Sequence, residues 1–311
     1  MTKSKAKTLF ISIVAIGVFL LNVSPALPEQ IIIHSADQFN FARTLMKKGA
    51  YSRAIGEFER FIHFFPNDSY VKKARLLIGM CYLKSRRHEA AREIFSKIIM
   101  SEKADPLTGK ALFLTGESYY QQGISKEAEH YFTQVIERYS DPDLKNAALY
   151  RLGWARMQAN KWRDASEIFR QVENTSPLYE SSRQLAGQSF KGSELPEKNP
   201  AYAGVLAAIV PGLGHAYVSR YRDATVAFLV NGLFIWAAAE SFNHDQPGLG
   251  GILTFLELGW YSGNIYSAIN ATHKHNRKVR KDFRDSLKDR LDLNLFAGRR
   301  GQVALALTFH F

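Results

Sequence analysis

Ala54-Ile55-Gly56-Glu57-Phe58-Glu59-Arg60-Phe61-Ile62 decides the fold, because its arrangement returns every 37 residues. The later copies read Ala91, Phe95, Ile98; then Ala128, Phe132, Val135; then Ala165, Phe169, Val172. A further small residue keeps the same period at Ala42, Gly79, Gly116 and Gly153. Within a unit the apolar positions are three and four apart, which is one face of an amphipathic helix. Each unit therefore reads as a pair of helices, four times over between about Asp37 and Pro177. A single pair cannot bury its apolar face, so the units must stack, and the small residues mark close helix approach. The predicted fold class is all-α, an α-solenoid over residues 31–177.

Ala42, Gly49, Tyr51, Ala54, Phe58 and Pro66 fall where the tetratricopeptide-repeat family places its small, turn, aromatic and terminating residues. The chain resembles that family, and its repeat ends, Phe65-Pro-Asn-Asp and Tyr139-Ser-Asp-Pro-Asp, resemble those of periplasmic envelope-assembly members. The resemblance implies that the first helix of each repeat lines a concave groove for a protein or peptide. Its motif positions place Phe39, Arg43, Leu76, Met80, Phe113, Glu117, Tyr120, Tyr150 and Trp154 there. Aromatics and Met on a concave face suit a peptide; the alternative is that several of them pack between repeats. The Lys/Asn clamp that some members use on a peptide carboxylate is missing, with Phe39 and Arg43 in its first positions.

A net charge of +12 on 311 residues raises nucleic acid as a partner. From Ile31 to Pro177, however, 23 Lys and Arg stand against 17 Asp and Glu, spread over helix surfaces, so no nucleic-acid stripe is formed. Much of the remaining excess adjoins apolar segments, where lipid phosphate is the natural attraction. Cys81 is the only cysteine, which excludes an internal disulfide and a cysteine-rich metal site, and it reads as a packed apolar side chain.

Lys3, Lys5 and Lys7 precede the apolar run Leu9 to Val23, and Ser24-Pro25-Ala26 offers small residues at a cleavage site. Residues 1–26 read as a secretory signal peptide, with an uncleaved anchor as the alternative. Either delivers the repeats to the periplasm of a bacterium. Residues 178–200 read as a capping helix, Tyr179 to Phe190, and a linker rich in Gly, Pro and charge.

Three apolar segments follow within residues 201–272: Ala201 to Val218, Ala224 to Ala239 and Gly248 to Ala271. The loop Glu240 to Pro247 lacks Lys and Arg, whereas Arg220, Arg222 and the run His273 to Lys281 flank the second and third segments. The positive-inside rule then predicts three spans in the inner membrane, with the repeats outside and the basic helix 273–290 inside; the alternative is a buried or re-entrant hairpin. Pro211-Gly-Leu-Gly-His-Ala-Tyr217 resembles the Pro-Gly-x-Gly-Gln-x-Tyr signature of a family of small bacterial membrane domains, with His215 where Gln is usual. Polar residues in this domain are His215, Asn231, Glu257 and Asn264; Glu257 reads either as a proton-sensitive or substrate site or as part of an interhelical hydrogen-bond network. In residues 291–311, alternating Val303, Leu305, Leu307, Phe309 and Phe311 predict a β-hairpin.

No His-Glu-x-x-His, Walker-type or Gly-x-Ser-x-Gly motif occurs, and His273 and His275 face different sides of a helix, so no metal, cofactor or catalytic set is expected. The sequence reads as a non-enzymatic, membrane-tethered scaffold for a protein partner in envelope assembly, with lipid contact and a homo-oligomer left open. The rival is an insertion or transport accessory working through Glu257.

Overall fold

The computed structural model describes residues 33–100, 105–290, 292–297 and 303–308; the signal segment lies outside them. The chain forms two compact units, one ending at Asp68 and one beginning at Ser69.

The first unit is a helix pair, α1 (Ser35–Lys47) and α2 (Tyr51–Phe64). Phe39 sets its ring against Phe58 and Phe61, with centroids 5.7 and 5.4 Å away, and Ala42, Ala54, Phe58 and Phe61 have no exposed surface. Gln38 donates to Glu57 Oε2 at 2.6 Å across the pair.

The second unit opens with three further pairs: α3 (Val71–Lys84) with α4 (His88–Ile99), α5 (Pro106–Gln121) with α6 (Ser125–Arg138), and α7 (Pro142–Gln158) with α8 (Trp162–Arg170). Each helix packs on the next, α3 also touches α5, α5 touches α7, and α9 (Tyr179–Gly192) closes the stack against α8. The two strongest sequence columns meet here. A Cβ added to Gly116 would lie 2.8 Å from the Phe132 ring, one added to Gly153 would lie 2.6 Å from the Phe169 ring, and one added to Gly79 would run into Phe95. Glycine thus makes room for a fully buried ring from the partner helix.

A further column appears at the turns. Gly49 (φ 76°), Arg86 (59°), Gly123 (79°) and Asn160 (60°) are all left-handed and 37 residues apart. The next N–H in each case reaches back to the last helical turn: Ala50 to Leu45 O, Arg87 to Tyr82 O, Ile124 to Tyr119 O and Lys161 to Arg156 O, at 2.9–3.0 Å. That 6→1 bond satisfies a carbonyl the helix would otherwise leave open. At the other ends, Asp105 and Asp141, each just ahead of a proline, accept from the backbone N–H groups of Thr108 and of Asp143 and Leu144.

The C-terminal helices are α10 (Pro200–Ile209), α11 (Leu213–Tyr217), α12 (Tyr221–Asn243) and α13 (Pro247–Arg290), with α10 and α12 both laid on α13. The three-span expectation is corrected here. The first apolar segment breaks after Ile209, since Val210 before Pro211 is extended and Gly212 is left-handed at φ 89°. Its ten-residue helix is about 15 Å long, half of a hydrocarbon core of about 30 Å. Pro211-Gly-Leu-Gly214 forms a tight turn: a Cβ at Gly212 would strike the Ala224 carbonyl, and one at Gly214 would lie 2.7 Å from Ala268 and 3.0 Å from Ala207. Among the described residues one helix, α12, is long and apolar enough to cross a membrane. Strands β1 (Asp292–Ala297) and β2 (Val303–Thr308) pair antiparallel, Asp292 opposite Thr308 and Ala297 opposite Val303; Phe309 and Phe311 lie outside the described residues.

Candidate functional site

In the first unit Phe39 is 3% exposed, while Arg43 is half-buried with its guanidinium 5.9 Å over the Phe39 ring. In the second unit Leu76, Met80, Phe113, Glu117, Tyr120, Tyr150 and Trp154 are all buried. Five of them lie on α5 and α7, which are enclosed nearly all round by their neighbours, and Leu76 and Met80 lie on α3. Tyr150 packs edge-on to Phe169 at 5.7 Å and shares a 3.3 Å hydrogen bond with Ser181. Burial pushes the Tyr120 hydroxyl up to about 12, and the Cys81 thiol likewise to about 12, which leaves both protonated and unreactive near neutral pH.

Glu117 does not face a partner protein; Arg151 of the next repeat holds it. Arg151 Nε donates to Glu117 Oε2 at 2.6 Å, Nη2 donates to Oε1, and the guanidinium stacks 4.5 Å over the Tyr120 ring. The sequence reading missed Arg151, although its spacing of 34 places it one helical turn short of Glu117's counterpart in the next repeat.

The basic end of α13 has a use that the charge count concealed. Asn276 accepts from Lys198 N at 2.9 Å and donates to Lys198 O at 2.7 Å, and Arg280 Nη1 lies 2.8 Å from both Glu197 carboxylate oxygens. One turn further, Phe283 meets the Trp162 ring edge-on at 5.7 Å, and Arg284 Nη1 donates to Met157 O, Gln158 O and Asn160 Oδ1 at 3.2–3.5 Å. Leu287 is 3% exposed. These residues recur three and four apart, one stripe of a helix, and Arg284 places its cation where the α7 carbonyls end. The run His273 to Lys281, read as a lipid-facing flank on the far side from the repeats, thus holds the linker at Glu197 and Lys198, and the turn after it packs on the last repeat.

The four polar residues of the C-terminal helices separate. His215 and Asn264 share a pocket between α11, α12 and α13, while Asn231 and Glu257 do not line it. Asn231 donates to Ala227 O at 2.6 Å, within its own helix. Glu257 is 7% exposed and neither carboxylate oxygen has a hydrogen-bond partner among the described residues. No group of three or more His, Cys, Asp or Glu arranged for a metal occurs among the described residues.

Around this bundle the outer surface is apolar. Phe228, Leu229, Leu233, Trp236 and Phe242 of α12 are half or more exposed, and so are Ile252, Phe255, Leu256, Leu258 and Trp260 of α13. A contiguous patch of this kind marks a surface covered by lipid or protein.

Residues 39–107 match one tetratricopeptide-repeat family model, and residues 110–142 and 147–178 match a second. The chain therefore carries tetratricopeptide repeats, which point to a protein–protein interaction scaffold. No curated protein matches the chain. Among solved structures, a putative kinesin light chain from Podosopora anserina with nearly identical TPR-like repeats is 15% identical, with TM-score 0.44 over 53% of this chain and 90% of that one. YrrB, a TPR protein with an unusual peptide-binding site, is 19% identical, with TM-score 0.39 over 53% and 80%. A tetratricopeptide repeat protein from Parabacteroides merdae is 12% identical, with TM-score 0.41 over 81% and 98%.

Proposed function

We propose that this protein is a membrane-tethered, non-enzymatic scaffold whose repeats hold a protein partner in bacterial envelope assembly. The observation that carries it is the join: Phe283 and Arg284 tie the last repeat, and Asn276 and Arg280 tie the linker at Lys198 and Glu197, to the same helix whose apolar half backs the exposed face of α12. Anchor and the repeats of the second unit are then joined within one compact unit. The antiparallel packing of α13 on α12 favours both lying at one depth in the bilayer, with the loop at Asp245 at the far side. Repeats, linker and basic helix lie on the near side, which the N-terminal leader would make the periplasm. Partner contact falls to surfaces left open, such as Arg43 on α1, since the inner helices α5 and α7 are enclosed.

The test pairs two readouts on the full-length protein. Photo-crosslinking from position 43 should trap a discrete partner in membranes, and replacing Leu233, Trp236, Phe255 and Leu258 with Ser should release the protein from vesicles. Retention of that variant, or an absence of any crosslink, overturns the proposal. A second reading draws on the unpartnered carboxylate of Glu257: an accessory to membrane insertion or transport that works through that group. Glu257→Gln separates the two, since the scaffold keeps its activity in that variant and the accessory loses it.

A further inference from the structure

The pocket between α11, α12 and α13 has a volume of about 540 Å³ and divides into a polar end and an apolar wall. At the polar end, His215 Nε2 lies 3.1 Å from Ser267 Oγ, while its Nδ1 is buried without a partner among the described residues. Asn264 is 93% buried, from its 7% exposure, and neither its amide oxygen nor its nitrogen has a partner there. Unmatched amide groups of this kind cost about 1–3 kcal/mol, so something polar is expected to meet them. Arg220 and Asp223, 2.5 Å apart and half exposed, stand at the mouth.

The wall is held open by design of the helix surface. Gly259 and Gly263 line it one turn apart, and a Cβ at either would meet nothing within 4 Å. They differ in this from Gly204, where a Cβ would press on Ile269 at 2.9 Å. Here the glycines make space instead of a helix contact. Val226 and Trp260, 61% and 55% exposed, carry the pocket out onto the apolar surface, and the exposed Tyr221 and Tyr266 adjoin the lining residues Arg220 and Ser267 in the chain. Tyrosines at that level fit a membrane–water interface.

We propose that this pocket binds a zwitterionic phospholipid bearing a primary ammonium. Arg220 and the Asn264 amide receive the phosphate, Asp223 receives the ammonium, and one acyl chain leaves past Gly263 and Trp260 along the exposed face. The paired charges at the mouth select a zwitterion, since a plain anion would meet Asp223 and a plain cation Arg220. The open apolar wall selects an amphiphile over a soluble molecule. The proposal rests on the membrane placement given above.

The test is native mass spectrometry of the full-length protein in detergent, equilibrated with equal amounts of phosphatidylethanolamine, phosphatidylcholine and phosphatidylglycerol. Phosphatidylethanolamine should be retained about ten-fold over the other two, the size of one charge-assisted hydrogen bond. Asp223→Asn should abolish that preference, and Arg220→Gln should lower retention of all three. Gly263→Leu, which fills the pocket without touching its polar groups, should expel lipid while vesicle flotation and helix content stay at wild-type level. Equal retention of the three lipids, retention unchanged in Gly263→Leu, or equally effective competition by soluble glycerophosphoethanolamine each overturns the proposal. Flotation of wild type separates the two ideas: a protein that floats without headgroup preference refutes the lipid site alone, and one that does not float refutes the membrane placement.

Discussion

Gly116→Ala tests the interlocking columns at their centre. The new Cβ would sit 2.8, 2.9 and 3.2 Å from three carbons of the Phe132 ring, where ordinary contact begins at 3.4 Å. The ring must therefore retreat by about 0.6 Å, the difference between 3.4 and 2.8. It has nowhere open to go, being fully buried with Phe113 5.5 Å from its centroid. Overpacking of this kind costs about 1–3 kcal/mol, whereas Ala in place of Gly within a helix gains about 1 kcal/mol. The net expectation is a loss of about 0–2 kcal/mol in the wild-type background. In a Phe132→Leu background the obstacle is gone and only the helix gain remains, so the same substitution should stabilise by about 1 kcal/mol. The sign reversal is a coupling of about 1–3 kcal/mol, readable as a change of several degrees in Tm by circular dichroism across the four proteins of the cycle. An equal shift in both backgrounds would refute the claim that the columns touch.

Other consequences can be measured on the same protein. Arg151→Met or Glu117→Leu alone leaves a buried charge and should cost about 3–5 kcal/mol, while the double variant should recover most of it in the same melting assay. Arg86→Gly should raise stability by about 1 kcal/mol, because Arg86 occupies a left-handed turn position that its repeat counterparts give to Gly49 and Gly123. Phe283→Ala with Arg284→Ala should speed proteolysis between Lys191 and Asn199 without altering repeat helicity, as the clamp on α7 and α8 loosens. Burial works against the charge on Asp105, but hydrogen bonds from Lys72 and Thr108 outweigh it and hold its carboxyl below its ordinary 3.8. Its folded value being depressed, its contribution is complete above about pH 4 and fades as pH falls through the lowered value, so the stability gap between wild type and Asp105→Asn should narrow there.

The repeats were legible because packing imposes the same demand three times over: Gly79, Gly116 and Gly153 yield to Phe95, Phe132 and Phe169 at one period. The left-handed turn column was half hidden, since Arg86 and Asn160 hold a conformation whose usual marker is glycine. Motif position tells which side of a helix is inner and not whether that side is open or packed, so the sequence left both readings of the groove residues; along α5 and α7 they are packed. Segment length and charge suggested three spans, yet Val210-Pro211-Gly212 divides the first into pieces too short to cross. The basic run deceived for a physical reason. A lysine- and arginine-rich helix looks solvated or lipid-facing in composition, and only the three-and-four spacing of Asn276, Arg280, Phe283, Arg284 and Leu287 betrays a packed stripe. The pocket could not be read in advance, because Gly259, Gly263 and Asn264 adjoin Arg220 and Asp223 only once α12 and α13 fold together.

The central claim is that repeats and basic helix share one side of a membrane that the α12–α13 hairpin enters. Cys81 is buried, and in a Cys81→Ser background single cysteines at positions 193, 245 and 281 can be probed with an impermeant maleimide in sealed membrane vesicles. Positions 193 and 281 should label together, and position 245 only after the membrane is opened or inverted. Labelling of 281 on the side opposite to 193, or of all three on one side, would contradict the account.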